Sequence, residues 1–299
     1  MKEKLTPSRV IFNICNYTFF ALCVLMCVFP LWYVFSYTVS DPVAVEKSVL
    51  VLYPKGFSLS NIRKVLSLSG FSHAALISVA RTVTGTLLAV FGNTWMGYLF
   101  TKERFPARRF FYRFVVVSMY VSGGMIPTFL VYKYYGLLNN FLVYIIPGMV
   151  SAYNIILCKT YTESIPASLE ESAYLDGAGP FTTYVKIIFP LSLPIAATIG
   201  IYAAVGQWNS WFDNHIYTFS VPNLTTLQYL MYTYLNEAQQ LANLLESTHM
   251  EDIEAAEQMI TPWGIKMTVT MLTIMPILMV YPFLQKYFIK GIMVGAVKG

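Results

Sequence analysis

Long apolar runs separated by short polar segments dominate the sequence. A transmembrane helix needs about 20 mainly apolar residues, and a single span in lipid is stable as a helix because it satisfies its own backbone hydrogen bonds. The pattern predicts six transmembrane helices, at residues 11–39, 73–100, 114–132, 141–158, 191–212 and 263–287. The first run is too long for a signal-peptide core and ends without a small-x-small cleavage site, so we expect it to remain. We therefore expect an all-α integral membrane protein, with residues 1–299 forming one membrane domain.

The distribution of Lys and Arg predicts the orientation of these helices, because basic residues are enriched in cytoplasmic segments. Basic residues cluster before the first run, after the second run and at the C-terminal end. The segment 213–262 has no Lys or Arg and seven acidic residues, as an extracytoplasmic segment should. The pattern predicts a multi-pass protein of the bacterial cell membrane with both termini in the cytoplasm. The segment 40–72, which contains four basic residues, fits this scheme least well.

Two polar segments are long enough to carry structure of their own. The extracytoplasmic segment 213–262 has apolar residues at helical spacing, which predict an amphipathic helix; they are Leu227, Leu230, Met231, Tyr234 and Leu235. The cytoplasmic segment 159–190 predicts two short helices joined by a turn, the second ending before Pro190. Ser168 and Glu171 have the spacing of a capping box, and Gly177 can adopt the left-handed conformation that ends a helix. Leu169, Ala173 and Asp176 are expected on one side of the first helix.

The composition and charge of the chain exclude several classes of function. Hydrophobic residues make up 56% of the chain and charged residues 12%, about half the charge of a soluble domain. The net charge of +5 arises from residues between the apolar runs, so we expect no nucleic-acid partner. The four cysteines lack metal-ligand spacing and are expected to be small buried hydrophobic residues; they are Cys15, Cys23, Cys27 and Cys158.

Few residues in the sequence indicate catalysis, ATP binding or ion coupling. The chain has no phosphate-binding loop of the Gly-x-x-x-x-Gly-Lys-Ser/Thr type, so it is not expected to hydrolyse ATP itself. No predicted span has a carboxylate at mid-depth, which disfavours an ion-coupled carrier. The three histidines are scattered, and they indicate neither an active site nor a metal site. Arg81 and Lys266 lie near the extracytoplasmic ends of their spans, where we expect the side chains to snorkel towards water.

The cytoplasmic segment carries a specific motif. Glu171-Ser172-Ala173, Gly177, Ile187 and Pro190 resemble the EAA loop of binding-protein-dependent ABC importer permeases, in which Glu-Ala-Ala is followed by Gly and then by Ile-x-Leu-Pro at the same spacing. Ser172 and Phe189 depart from that pattern. The chain, including its C-terminal tail, is similar to the second permease of maltose-type importers, and most of all to the branch for lipo-oligosaccharides and uronic-acid-related sugars.

The resemblance implies the fold of a type I importer permease and a role without catalysis. In that family the EAA loop, here 159–190, docks on a separate ATPase dimer that binds ATP and Mg; this chain holds no cofactor or metal. The C-terminal tail 290–299 reaches the same ATPase, and segment 213–262 reaches an extracytoplasmic solute-binding protein. The other partners implied are a second, related permease, membrane lipid and an oligosaccharide. The residues implied in ATPase coupling are Glu171, Ser172, Ala173, Asp176, Gly177, Ile187, Pro190, Lys290 and Lys298.

A candidate substrate pathway follows the EAA loop, because sugar sites pair aromatic faces with amide groups. Its residues are Gln207, Trp208, Asn209, Ser210 and Trp211, with Tyr153 and Asn154 as further candidates. An aromatic belt with amide contacts between helices explains the same residues. The pathway has no evident Lys or Arg, which favours a neutral or mixed oligosaccharide over an acidic one. An amino-acid or peptide permease, and a carrier or channel without ATPase, remain the alternatives.

Overall fold

The computed structural model describes residues 7–46, 51–68, 70–248 and 262–296. Within these ranges the regular structure is helical, and a single isolated bridge joins Ser40 to Phe57. The helices are α1 (Pro7–Thr38), α2 (Pro42–Glu46), α3 (Ser60–Leu66), α4 (Phe71–Leu99), α5 (Arg108–Ser118), α6 (Met125–Tyr134), α7 (Ala152–Glu163), α8 (Ser168–Leu175), α9 (Pro180–Thr183), α10 (Phe189–Leu191), α11 (Leu193–Asn209), α12 (Phe212–Tyr217), α13 (Leu227–Thr248) and α14 (Pro262–Ala296). Short 3₁₀ turns at Phe141–Tyr144 and Pro222–Leu224 and a π-helical turn at Tyr184–Ile188 complete the set. The predicted all-α class is confirmed.

Three described helices are long and apolar enough to cross a membrane: Pro7–Thr38, Phe71–Leu99 and the Gly264–Pro282 part of α14. A fourth candidate is the pair Pro180–Leu191 and Leu193–Asn209, which bends by 82° between its two parts. These helices correspond to the predicted first, second, sixth and fifth spans. The amphipathic helix predicted in segment 213–262 is confirmed as α13.

The predictions of continuous helices at 114–132 and 141–158 are wrong. Residues 119–124 separate α5 from α6, and Gly124 adopts φ +80°. The fourth run begins as a 3₁₀ turn and becomes α-helical only at Ala152, because Pro147 and Gly148 interrupt it. Proline removes a backbone donor and glycine disfavours helix, so an apolar run alone does not fix a continuous helix.

The chain divides into two compact units, Met1–Ser69 with Thr233–Met275 and Gly70–Tyr232 with Pro276–Gly299. In the first unit, Tyr37, Val45, Val51 and Met267 form a small buried cluster. Asn61, which is 1% exposed, donates from its side chain to the carbonyl oxygen of Ser40 at 3.2 Å. Three cysteines of α1 are exposed and only Cys158 is buried among the four, so the prediction of buried thiols holds for Cys158 alone.

The second unit is built around α4, which packs along α11 and α7. Gly97 allows the close approach of α4 to α7, since a Cβ atom there would lie 2.5 Å from the Cβ of Cys158. Small residues that let backbones approach are typical of helix packing in membranes. The end of α4 that the sequence predicts to be cytoplasmic contacts the EAA loop. Towards its other end, α4 contacts the candidate substrate pathway.

Candidate functional site

The EAA loop folds into two short helices joined by a sharp turn, as predicted. The first helix, α8, ends at Asp176, and Gly177 follows with φ +82°. The Gly177 N–H donates to the carbonyl of Tyr174 at 3.1 Å, and the Ala178 N–H donates to that of Ala173 at 2.9 Å. This pair of bonds is a Schellman motif, which requires a left-handed residue that glycine adopts without strain. The predicted helix stop at Gly177 is confirmed.

Two local predictions for this hairpin are wrong. Ala167, not Ser168, is the N-cap residue of α8 and has no side-chain capping bond. The helix begins at Ser168, so Ser168 already lies inside it and accepts through its carbonyl from the Ser172 hydroxyl at 2.9 Å. The second arm does not end before Pro190, because the π-helical turn runs into α10, and proline is tolerated in the first turn of α10.

The hairpin presents part of its motif to solvent and buries the rest. Glu171, Ser172 and Asp176 are exposed, and Leu175 at the tip is 89% exposed. Ala173 is buried, at 7% exposure. Leu169 and Asp176 are exposed, whereas Ala173, which the sequence predicts on the same side of α8, is not.

The second arm of the hairpin attaches the motif to the membrane helices. Tyr98 of α4 forms a buried cluster with Tyr184 and Ile188, and Ile187 packs against it. The Tyr184 hydroxyl lies 2.7 Å from the hydroxyl of Thr94 on α4. Ile187 therefore has a packing role in holding the arm, while Pro190 is exposed.

The tail residues predicted to reach the ATPase are described only in part. Lys290 lies within α14, and Lys298 lies outside the described residues. Tail residues 290–299 therefore remain a prediction from the sequence.

A buried polar network lies at the other end of α4, where α11 ends. Arg81 is 2% exposed and forms an ion pair with Asp213, with one terminal nitrogen 3.1 Å from Oδ1. Arg81 Nε donates to Gln207 Oε1 at 2.9 Å, and a terminal nitrogen donates to the Ser210 carbonyl at 3.2 Å. The guanidinium also lies over the Tyr144 ring, 4.4 Å from its centroid. Four groups, from Tyr144, Gln207, Ser210 and Asp213, thus converge on one cation.

The expectation that Arg81 snorkels to water is wrong, because its charge is compensated inside the protein. A buried charge is stable only when paired and hydrogen-bonded. Asp213, in the first turn of α12, supplies both the counter-charge and two acceptor oxygens. Lys266, in α14, is half-buried and belongs to the other compact unit.

Gln207 is fixed in place by contacts on both sides. Its amide nitrogen donates to the Tyr144 carbonyl at 3.0 Å while its oxygen accepts from Arg81. A Cβ atom at Gly85 of α4 would lie 2.6 Å from the Gln207 side chain, so glycine is needed there for the side chain to fit. Of the predicted pathway residues, Gln207 and Ser210 therefore belong to the Arg81 network.

The other predicted pathway residues lie around this network or apart from it. Asn209 accepts from the side chain of Gln228 at 3.3 Å, and Trp211 stacks on Tyr232 with ring centroids 4.1 Å apart. Trp208 is buried and lines an apolar groove of about 460 Å³ with Val79 and Tyr202. This position matches the alternative interpretation of Trp208 as a helix-packing residue.

Tyr153 and Asn154 lie in the first turn of α7. Tyr153 is 56% exposed and Asn154 is half-buried. Among the described residues, no hydrogen bond joins them to Arg81 or Gln207. The structure therefore does not bring these two candidates into the network.

Sequence reasoning missed the residues that attach the start of segment 213–262 to α4. Asn214, which is 1% exposed, accepts from the Thr226 N–H at 2.7 Å, and the Leu227 N–H donates to Ser78 at 2.7 Å. Burial raises the pKa of Tyr217, and the Asp213 carboxylate raises it further, so the phenol stays neutral at physiological pH. The sequence does contain one signal for this contact. Arg81 is a lone cation in one apolar run, and Asp213, with which it pairs, is the first acidic residue after another.

No group of histidine, cysteine, aspartate or glutamate side chains within the described ranges could hold a metal ion. The geometry instead combines a protruding hairpin at one end of α4 with a neutralised polar network towards the other.

Comparison with known proteins identifies the family of this chain. The sequence profile of the family described as "Binding-protein-dependent transport system inner membrane component" matches residues 6–294. The chain belongs to this family.

The permease resembles characterised relatives along nearly its whole length. It is 34% identical over 290 residues to the polygalacturonan/rhamnogalacturonan transport system permease protein YtcP of Bacillus subtilis (strain 168), covering 97% of this chain and 99% of that protein. It is 32% identical over 296 residues to Protein LplC of the same organism, covering 98% and 97%. The predicted family resemblance is therefore confirmed.

The fold of the permease also matches a solved structure. A chain in the crystal structure of a bacterial ABC transporter involved in the import of the acidic polysaccharide alginate superposes with a TM-score of 0.83 at 28% identity. The match covers 96% of this permease and all of that chain. The permease is thus a multi-pass membrane subunit of an ABC transporter, and the amino-acid or peptide alternative receives no support from these relatives.

Proposed function

We propose that this permease is one membrane subunit of an ATP-driven importer of oligosaccharides. The observation that carries the proposal is the whole-length similarity to YtcP, a permease named for polygalacturonan and rhamnogalacturonan, in a chain that also has an exposed EAA hairpin. The substrate class is inferred from the similar proteins, and coupling to an ATPase is inferred from the hairpin.

The partners in this proposal are a second related permease, two ATPase subunits and an extracytoplasmic binding protein. ATP and Mg bind the ATPase subunits, and this chain contributes no catalytic residue. Glu171, Ser172, Leu175 and Asp176 are among the exposed groups of the hairpin available for a contact with the ATPase. A helix that is fixed by a Schellman turn and packed on α4 can transmit rigid-body motion, whereas a mobile loop would not. Both termini and the hairpin then lie in the cytoplasm, and the segment 213–262 faces the binding protein.

The sugar is proposed to meet this chain through neutral groups. YtcP is named for polygalacturonan and rhamnogalacturonan, and the similar solved structure is of a transporter involved in the import of the acidic polysaccharide alginate. The cation nearest the candidate pathway, Arg81, is nevertheless already paired with Asp213. Both ends of the Gln207 amide are already engaged, by Tyr144 and Arg81. The exposed Asn209 amide and the stacked pair of Trp211 and Tyr232 remain for sugar hydroxyls and ring faces. Recognition of a uronate carboxylate is therefore assigned to other chains of the complex.

Purification of this permease with candidate ATPase subunits tests the proposal. The expected result is a stable complex whose ATP hydrolysis rises when a binding protein loaded with oligosaccharide is added. Sugar uptake by this chain without any ATPase would establish the carrier alternative instead. Stimulation by amino acids or peptides, with no response to sugars, would also contradict the proposal.

A further inference from the structure

An ion pair joins the EAA hairpin to the end of α4. Lys102 lies three positions after the last residue of α4, and its ammonium group contacts the carboxylate of Glu170 in the first turn of α8. The two side chains are 20% and 14% exposed. Ion pairs with this degree of burial are screened less by salt than exposed pairs are, and loss of one partner leaves a poorly solvated charge. The pair spans 68 positions of sequence, so it is a tertiary contact.

Tyr98 continues this contact to both arms of the hairpin. The Lys102 ammonium lies 4.3 Å from the centroid of the Tyr98 ring. The Tyr98 hydroxyl, in a side chain that is fully buried, donates to the Pro180 carbonyl at 3.3 Å and lies 3.4 Å from the Tyr174 hydroxyl. Tyr174 belongs to α8 and Pro180 begins α9. The end of α4 therefore touches the hairpin on both sides of its turn.

A cavity of about 920 Å³ lies beside this contact, and its other charged groups do not duplicate the pair. Its charged lining residues are Lys102, Glu103, Arg104, Glu163, Glu170 and Glu171. Glu163 pairs with Lys159 within α7. Among the ion pairs between described residues, Lys102–Glu170 is the one that connects the hairpin to another element.

We propose that Lys102 is a positioning residue that clamps the EAA hairpin to α4 through Glu170 and Tyr98, so that the hairpin and α4 move as one body. The stretch of α4 from Arg81 to Leu99 is about 27 Å long at 1.5 Å per residue. Its far end holds Arg81, and through it Gln207 and Asp213. A displacement imposed on the hairpin is thereby delivered to the candidate sugar pathway along one continuous helix. This inference rests on the proposed function, since the imposed displacement is that of the ATPase.

Charge exchange in the complete complex tests the clamp. Lys102→Glu and Glu170→Lys, each alone, place like charges together, and both changes together restore an ion pair of opposite polarity. In vesicles containing the permeases, the ATPase and the binding protein, we expect each single variant to take up sugar about fivefold or more slowly than wild type, the lower end of common coupling energies. Sugar transported per ATP hydrolysed should fall as well. The double exchange should recover to within about twofold of wild type.

Two further variants separate the clamp from a general loss of structure. Glu163→Gln removes a paired carboxylate from the same cavity without touching the hairpin contact, and it should transport normally. Lys102→Gln with Glu170→Gln leaves no unpaired charge, so it should assemble normally but lose coupling. Single variants at wild-type rate, a double exchange no better than the singles, or an efficient double glutamine variant would each overturn the clamp. Uptake by wild type in the same vesicles reports on the proposed function, and only the variant-to-wild-type ratio reports on Lys102.

Discussion

Arg81 of α4 and Asp213 of α12 form a buried ion pair that joins a long apolar helix to the short helix after α11. The Arg81 side chain is 3% exposed and that of Asp213 is 21% exposed. The pair explains how a cation is tolerated in a helix that is otherwise apolar. It also ties segment 213–262 to α4, because Asp213 is the first residue of that segment.

We expect Asp213→Asn to destabilise the permease, because it leaves the Arg81 guanidinium buried without a counter-charge. Removing one partner of a buried pair costs about 3 kcal/mol or more. Replacing both residues together, as Arg81→Met with Asp213→Leu, should cost less. Thermal unfolding of the purified permease in detergent measures both. A single variant as stable as wild type, or a double variant less stable than the single, contradicts the structural role of the pair.

Local signals in the sequence predicted part of the local structure, although the capping box at Ser168 did not form. Gly177 ends α8 as expected, since the conformation depends on one residue and its neighbours along the chain. The apolar pattern likewise located α1, α4, α11 and α14. Where Gly124 and Pro147 interrupt an apolar run, hydropathy alone predicted helix and the backbone did not follow.

The long-range contacts could not be predicted from the sequence. Arg81 and Asp213 are 132 positions apart, and Lys102 and Glu170 are 68 apart. Each pair forms only because α4 packs along α11 and α7, which no local pattern specifies. The same packing separated Trp208 from Gln207, although the two residues are adjacent in sequence.

The pairing of Arg81 also predicts how the importer treats acidic sugars. Because Asp213 already neutralises this cation, Arg81→Gln should lower the uptake of neutral and uronate oligosaccharides by the same factor. Competition between the two kinds of sugar, matched in length, measures this in reconstituted vesicles. If Arg81→Gln abolishes a preference for uronate while neutral uptake persists, Arg81 binds the substrate directly and our assignment of that role to other chains is wrong.

Truncation after Lys290 is expected to weaken association with the ATPase or its coupling, because the tail is similar to one that reaches the ATPase in maltose-type importers. Co-purification of the ATPase and sugar-stimulated ATP hydrolysis measure the two effects separately. Removing only Gly299 provides a control for the change of terminus. Full stimulation in the truncated complex would show that the tail has no role in coupling.

Two changes in the EAA hairpin test its role in coupling. Glu171→Lys reverses an exposed charge, and Gly177→Asp places a side chain at φ +82° in the Schellman turn. Both should abolish uptake while leaving membrane insertion intact, since Glu171 is exposed and Gly177 lies at the exposed turn. Gly136→Asp is a matched control, because Gly136 also has positive φ, at +67°, and also has open space around it.

The most direct test of the central claim is uptake of a labelled oligosaccharide into vesicles that contain the complete complex, with ATP on the ATPase side. We predict ATP-dependent accumulation with wild type and with Gly136→Asp, and none with Glu171→Lys or Gly177→Asp, at equal amounts of inserted permease. Accumulation at the wild-type rate in either hairpin variant, or accumulation without ATP, would contradict a permease that imports sugar by coupling its hairpin to a separate ATPase.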